Sequence, residues 1–168
     1  MLFRSAIVSG EFRSAVLLMM VALSIDAIDG SLARRVEVER VLPNLDGRRL
    51  DDMVDYLNYV IVPCVFLVAG GLLAHWWAAV PPILASAVGF SRVDAKTEDD
   101  FFLGFPSYWN VIAIYAWLLE IPPGPLAAIV AGFALLVLVP VKYVYPSKLR
   151  AWKRTTYGLT AAAAAAVA

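Results

Sequence analysis

Asp26-Ala27-Ile28-Asp29-Gly30-Ser31-Leu32-Ala33-Arg34, answered downstream by Gly47-Arg48-Arg49-Leu50-Asp51-Asp52-Met53-Val54-Asp55, decides how this chain reads. It sets spaced carboxylates where long apolar runs give way to charge. A helix turns by about 100° per residue, so Asp26 and Asp29 share one helical face and Asp51 and Asp55 share another. Each pair makes half a site, and Asp52 falls off the second face. An Asp at the centre of a membrane helix costs roughly 2.5 to 3.5 kcal/mol, less near the interface. Converging acids therefore need divalent cations or other partners to offset desolvation and mutual repulsion. A hard-oxygen donor set, in a chain with one His and one Cys, favours magnesium or manganese over zinc.

Composition puts these acids in a bilayer setting. The chain has 168 residues, 61% of them hydrophobic, and a mean hydropathy of +0.74, well above a soluble domain. Lys plus Arg equal Asp plus Glu, so net charge points to no nucleic-acid partner. Measured against the roughly 20 residues needed to cross, apolar runs predict spans at Ala15–Ile28, Val54–Leu73, Trp76–Phe90, Trp109–Ile121 and Leu126–Tyr143. A further span starts at Ala151 and is incomplete at Ala168. The expected fold is all-α, an integral membrane bundle of about six transmembrane helices forming one domain over residues 1–168.

Basic residues sort by loop. Arg34, Arg35, Arg40, Arg48 and Arg49 lie between spans one and two, Arg92 and Lys96 between three and four, and Lys142, Lys148, Arg150, Lys153 and Arg154 between five and six. The connections at Gly70–His75 and Glu120–Pro125 have no Lys or Arg. The positive-inside rule thus predicts a cytoplasmic acidic motif in a multi-pass protein. Arg4 and Arg13 break this layout, which leads to the expectation of another helix ahead of span one, and the incomplete last span leads to that of further helices after Ala168. A cleaved targeting peptide is the weaker reading of the N-terminus, since its apolar run leads straight into the acids.

The two stretches fill every fixed position of DxxDGxxAR followed by GxxxDxxxD, and in this the chain resembles the CDP-alcohol phosphotransferase family. That match outweighs the plain alternative of a hydrated cluster at two helix ends. The interval Arg35 to Asp46 is longer than the family's usual spacing. That interval, Pro43-Asn44-Leu45-Asp46-Gly47, and the stretch from Lys96 to Asn110 are most like the bacterial branch of the family that makes phosphatidylcholine. The likeness runs from Asp26 to Arg150. It implies transfer of a phosphatidyl group from CDP-diacylglycerol to choline, with two divalent ions, Mn2+ or Mg2+, at the inner membrane of a bacterium, and a homodimer. Carried over residue by residue, Asp26, Asp29 and Asp51 hold metal, and Asp55 takes the acceptor's proton and also serves as a ligand. Gly30, Ala33 and Gly47 leave room for the nucleotide. Arg34 meets phosphate or cytidine, since its fork matches anionic oxygens.

A quaternary ammonium is held by aromatic faces and nearby acids. Tyr56, Tyr59 and Trp109 are the expected choline contacts, with Phe105 and Tyr108 as neighbours in the same loop. Tyr and Trp also gather at membrane interfaces without any catalytic reason. Alternatives are the same chemistry on serine, inositol or glycerol phosphate, an inactive fragment, and a divalent-cation transporter. Transport predicts acids spread through the depth of the membrane. These lie at one level beside an Arg that would repel a cation.

Overall fold

The computed structural model describes residues 7, 9–35, 44–92 and 101–144. Helix α1 spans Phe12–Arg35 and follows Gly10, whose φ of 74° lets the chain turn into it. Its buried positions Ala15, Val16, Met19 and Met20 recur at helical spacing and face the bundle. The helix runs on through Asp26, Asp29 and Gly30, so the first acidic motif is helix interior and Gly30 does not end it.

Helix α2, Gly47–Ala69, is capped at its start by Asp46, whose carboxylate accepts from the Arg49 N–H at 3.1 Å and pairs with the Arg49 side chain at 3.0 Å. Such a cap contributes about 1 kcal/mol. Inside α2 the α-helical stretch Gly47–Tyr56 passes into a π-helical turn, Leu57–Ile61, before α-helix resumes at Val62–Ala69. Gly71, at φ 68°, closes the helix. Phe12 stands edge-on to Phe66 with centroids 5.8 Å apart, so the start of α1 packs on the end of α2 and the two run antiparallel.

Helix α3 (Trp76–Ser91) opens with a 3-10 turn, Trp76–Ala79, where His75 stacks on Trp77. Strand β1 (Phe101–Leu103), helix α4 (Trp109–Leu118), helix α5 (Pro123–Leu138) and strand β2 (Lys142–Val144) follow. Helices α3 and α5 form the most extensive helix pair. Gly89 permits their approach, since a Cβ there would lie 3.0 Å from Val137. Strands β1 and β2 pair antiparallel, Phe101 opposite Val144 and Leu103 opposite Lys142. The fold is mostly helical, as expected, with this one short strand pair beside the helices. Gly104, at φ 87°, donates its N–H to Val141, and Phe105 donates to Leu136 at the end of α5.

Five helices stand among the described residues, and one of them, Gly47–Ala69, is long and apolar enough to cross a membrane by length and composition. Helix α4 has 10 residues and α5 has 16, short of the predicted spans. The fifth span ends at Leu138 rather than Tyr143. Pro140 drives Val139 into extended backbone and stops the helix. The sixth predicted span, from Ala151, lies outside the described residues.

Leu17, Val21, Ile25, Val65, Leu84, Val88 and Leu135 all project outward, Leu135 at 66% exposure. An apolar girdle of that extent suits lipid rather than water. The sheet brings the segment before α4 against the segment after α5. Arg13, Leu72 and Glu120 line a common cavity at another place, between the start of α1 and the α4–α5 turn.

Candidate active site

Asp51 and Asp55 lie one turn apart near the start of α2, and Asp26 reaches them from α1. Carboxylate oxygens of these three residues fall within 4.8 Å of one another. Asp26 and Asp55 are half-buried and Asp51 is exposed, so the cluster sits at a mouth rather than in the core. One oxygen of Asp55, Oδ1, is buried. Two unit charges about 5 Å apart repel by roughly 3 kcal/mol at an effective dielectric of about 20. A trio at that separation is a strong attractor for a cation.

The donor set fits a hard divalent ion. Oxygens on opposite sides of one Mg2+ stand about 4.2 Å apart, close to the span of this cluster. Nothing softer than a carboxylate belongs to it. Asp29, Gly30, Ala33 and Arg34 continue along α1, Asp29 one turn beyond Asp26, and their side chains lie outside the described residues. Gly47 is the first residue of α2 and borders open space, since a Cβ there would meet nothing within 4 Å. Neither packing nor a positive φ demands a glycine at that point.

The aromatic residues separate into three environments. Tyr56 donates its hydroxyl to the Ile83 carbonyl at 3.0 Å and stands edge-on to Phe90, which ties it to α3. Trp109 is fully buried, with its indole N–H on Ser86 Oγ at 2.8 Å and Phe105 against its ring. A ring enclosed in this way anchors α4 to α3 and presents no open face to a cation. Tyr59 is the aromatic residue that reaches the acids: its hydroxyl donates to Asp26 Oδ2 at 2.5 Å. Its ring tilts against Tyr108, centroids 5.9 Å apart. Tyr59 is among the expected choline contacts, and its bond to Asp26 is what the sequence does not show. The available signal was Pro63, four residues farther along α2.

A family profile described as CDP-alcohol phosphatidyltransferase matches residues 1–144. The chain belongs to the CDP-alcohol phosphatidyltransferase family. This is a membrane family whose members use divalent metals, and the Asp26, Asp51 and Asp55 cluster is able to bind one. Relatives named phosphatidylcholine synthase include that of Legionella bozemanae, 46% identical over 145 residues covering 83% of this chain and 66% of the relative. The Legionella pneumophila protein is 47% identical over 83% of this chain and 56% of its own length. That of Borreliella burgdorferi is 33% identical over 92% of this chain and 68% of its own length. The chain thus spans 66% and 56% of the two Legionella relatives it matches. No solved structure matches it.

Proposed function

We propose that this chain carries the chemistry of a CDP-diacylglycerol:choline phosphatidyltransferase, forming phosphatidylcholine and CMP. The observation that carries the reading is the convergence of Asp26, Asp51 and Asp55 from two helices. The choice of choline rests on what the relatives are named. Asp26, Asp29, Asp51 and Asp55 would hold a pair of divalent ions, manganese or magnesium, which when bound neutralise diphosphate charge and orient the reacting oxygens.

The remaining steps belong to the chain's own residues. Gly30, Ala33 and Gly47 leave space for the cytidine nucleotide, and the open surroundings of Gly47 support that use. Arg34 contacts phosphate. The acyl chains stay in the bilayer against the apolar exterior. Tyr59 and Tyr108 offer ring faces beside the acids for the trimethylammonium group, while the placement of Trp109 in the core argues against its expected part in that contact. Tyr56 borders the same helix turn as Asp55.

Asp55 accepts the choline hydroxyl proton as the oxygen attacks the phosphorus bonded to diacylglycerol. The new P–O bond forms as the anhydride P–O bond breaks, CMP departs with that electron pair, and the proton passes from Asp55 to water. The loop charges support a site on the cytoplasmic face, the bacterial relatives support an inner membrane, and a homodimer completes the reading.

Membranes containing the chain, given CDP-diacylglycerol labelled in its cytidine, manganese and a panel of alcohols, test this directly. Choline-dependent CMP release supports it. Release with serine, inositol or glycerol phosphate but not choline would reassign the acceptor, and an inert chain whose longer relative is active would show that more sequence is required.

A further inference from the structure

The wide turn in the middle of α2 has a chemical cause and a target. Pro63 has no N–H, and in an unbroken α-helix its ring would collide with the carbonyl of the residue four earlier, Tyr59. The chain relieves that conflict by letting the Val62 N–H reach back five residues to the Leu57 carbonyl, which makes Leu57–Ile61 π-helical. A π turn holds more residues than an α turn, so it sets the angle at which Tyr59, four residues after Asp55, leaves the helix. Tyr59 is thereby turned toward α1, where its hydroxyl meets Asp26 Oδ2 at 2.5 Å, the short end of the range for a hydroxyl on a carboxylate.

We infer that Tyr59 is a positioning residue for the metal site: aimed by the Pro63-induced turn, its hydroxyl fixes the Asp26 carboxylate against Asp51 and Asp55. This inference rests on the metal-dependent reading above and deepens it. A carboxylate carries about four lone-pair sites. One O–H donor holds its plane and leaves capacity for a cation. Asp26 is the only member of the described trio contributed by α1, so its orientation sets whether the two helices present one site or two halves. The tilted contact with Tyr108 holds the ring in place from the opposite element.

The test uses the full chain in detergent and three forms: wild type, Tyr59→Phe and Pro63→Ala. Mn2+ affinity is read from the free-ion electron paramagnetic resonance signal without substrate, and unfolding midpoints are taken in EDTA and in Mn2+. Tyr59→Phe keeps the ring and removes the hydroxyl, so Mn2+ affinity should fall by about 10-fold or more, the usual effect of losing a group that orients a ligand. Pro63→Ala, which allows an α-helical turn, should weaken Mn2+ binding in the same direction with Tyr59 present, and decides the matter should Tyr59→Phe fail to fold. Wild-type Mn2+ affinity in Tyr59→Phe would overturn the inference, even with a lower midpoint in both EDTA and Mn2+, because the hydroxyl would then serve only to join helices. A wild-type chain that binds no Mn2+ overturns the metal reading and this inference with it. A chain whose Mn2+ binding depends on Tyr59 but which releases no CMP would uphold the positioning role and refute the catalytic one.

Discussion

The α3–α4–α5 side of the molecule and the α1–α2 seam are built on opposite plans. On the first side the helices interlock: Gly89 admits Val137, Gly104 presses against the Val137 carbonyl, and Trp109 hangs from Ser86 in a sealed pocket. Along the seam, Phe12 meets Phe66 at one end, while at the other end three carboxylates crowd a half-open mouth where Tyr59 of α2 bonds Asp26 of α1. The tight side spends its sequence on shape. The seam spends it on charge that folding alone does not favour, which is the pattern of a rigid scaffold holding a reactive edge.

The two plans come apart under mutation. Asp55→Asn should reduce CMP release by about 1000-fold, as expected for loss of a general base, with the unfolding midpoint held or raised as a charge leaves the cluster. A rate near wild type in that assay would remove Asp55 from the proton transfer. Gly104→Ala is the mirror case. An added Cβ would lie 2.3 Å from the Val137 carbonyl oxygen at a backbone φ of 87°, so stability should drop by about 3 kcal/mol in denaturant titration. Mn2+ affinity of the folded fraction should not change.

Trp109→Phe should cost about 2 kcal/mol, by leaving the buried Ser86 hydroxyl without its indole donor and shrinking a core side chain. Its choline KM should stay put. A large rise in that KM would return Trp109 to the acceptor site. The smallest effect belongs to Asp46→Ala, which removes the cap of α2 and should lower stability by about 1 kcal/mol. Because α2 carries two of the acids, Mn2+ titration of this variant should show a modest loss of affinity, which would tie the helix start to the mouth.

Much of this was legible before any coordinates. The spacing of Asp26 with Asp51 and Asp55 announced facing helices, because acids at one depth of an apolar chain have few other uses. Helix order followed from apolar runs. Four features escaped. The pairing of Phe101–Leu103 with Lys142–Val144 is set by contacts between distant segments, and strands this short carry almost no periodic signal. The end of α5 was written in Val139 and Pro140, but the apolar run through Val141 hid it. A proline inside an apolar helix, such as Pro63, predicts a kink. Its wide turn is a rotation about the helix axis, and only the partner helix shows where the turned side chain lands. For Trp109, hydropathy reports that a ring avoids water without saying whether it faces lipid, core or ligand.

A carboxylate cluster divided between α1 and α2 has a consequence for supply as well as speed. An ion held by both helices binds the joined form and not the separated one, so by mass action its abundance sets how much of the population stays assembled. Cellular quality control acts on the separated remainder. Scarcity of a divalent metal would then shorten the lifetime of the polypeptide as well as empty its site.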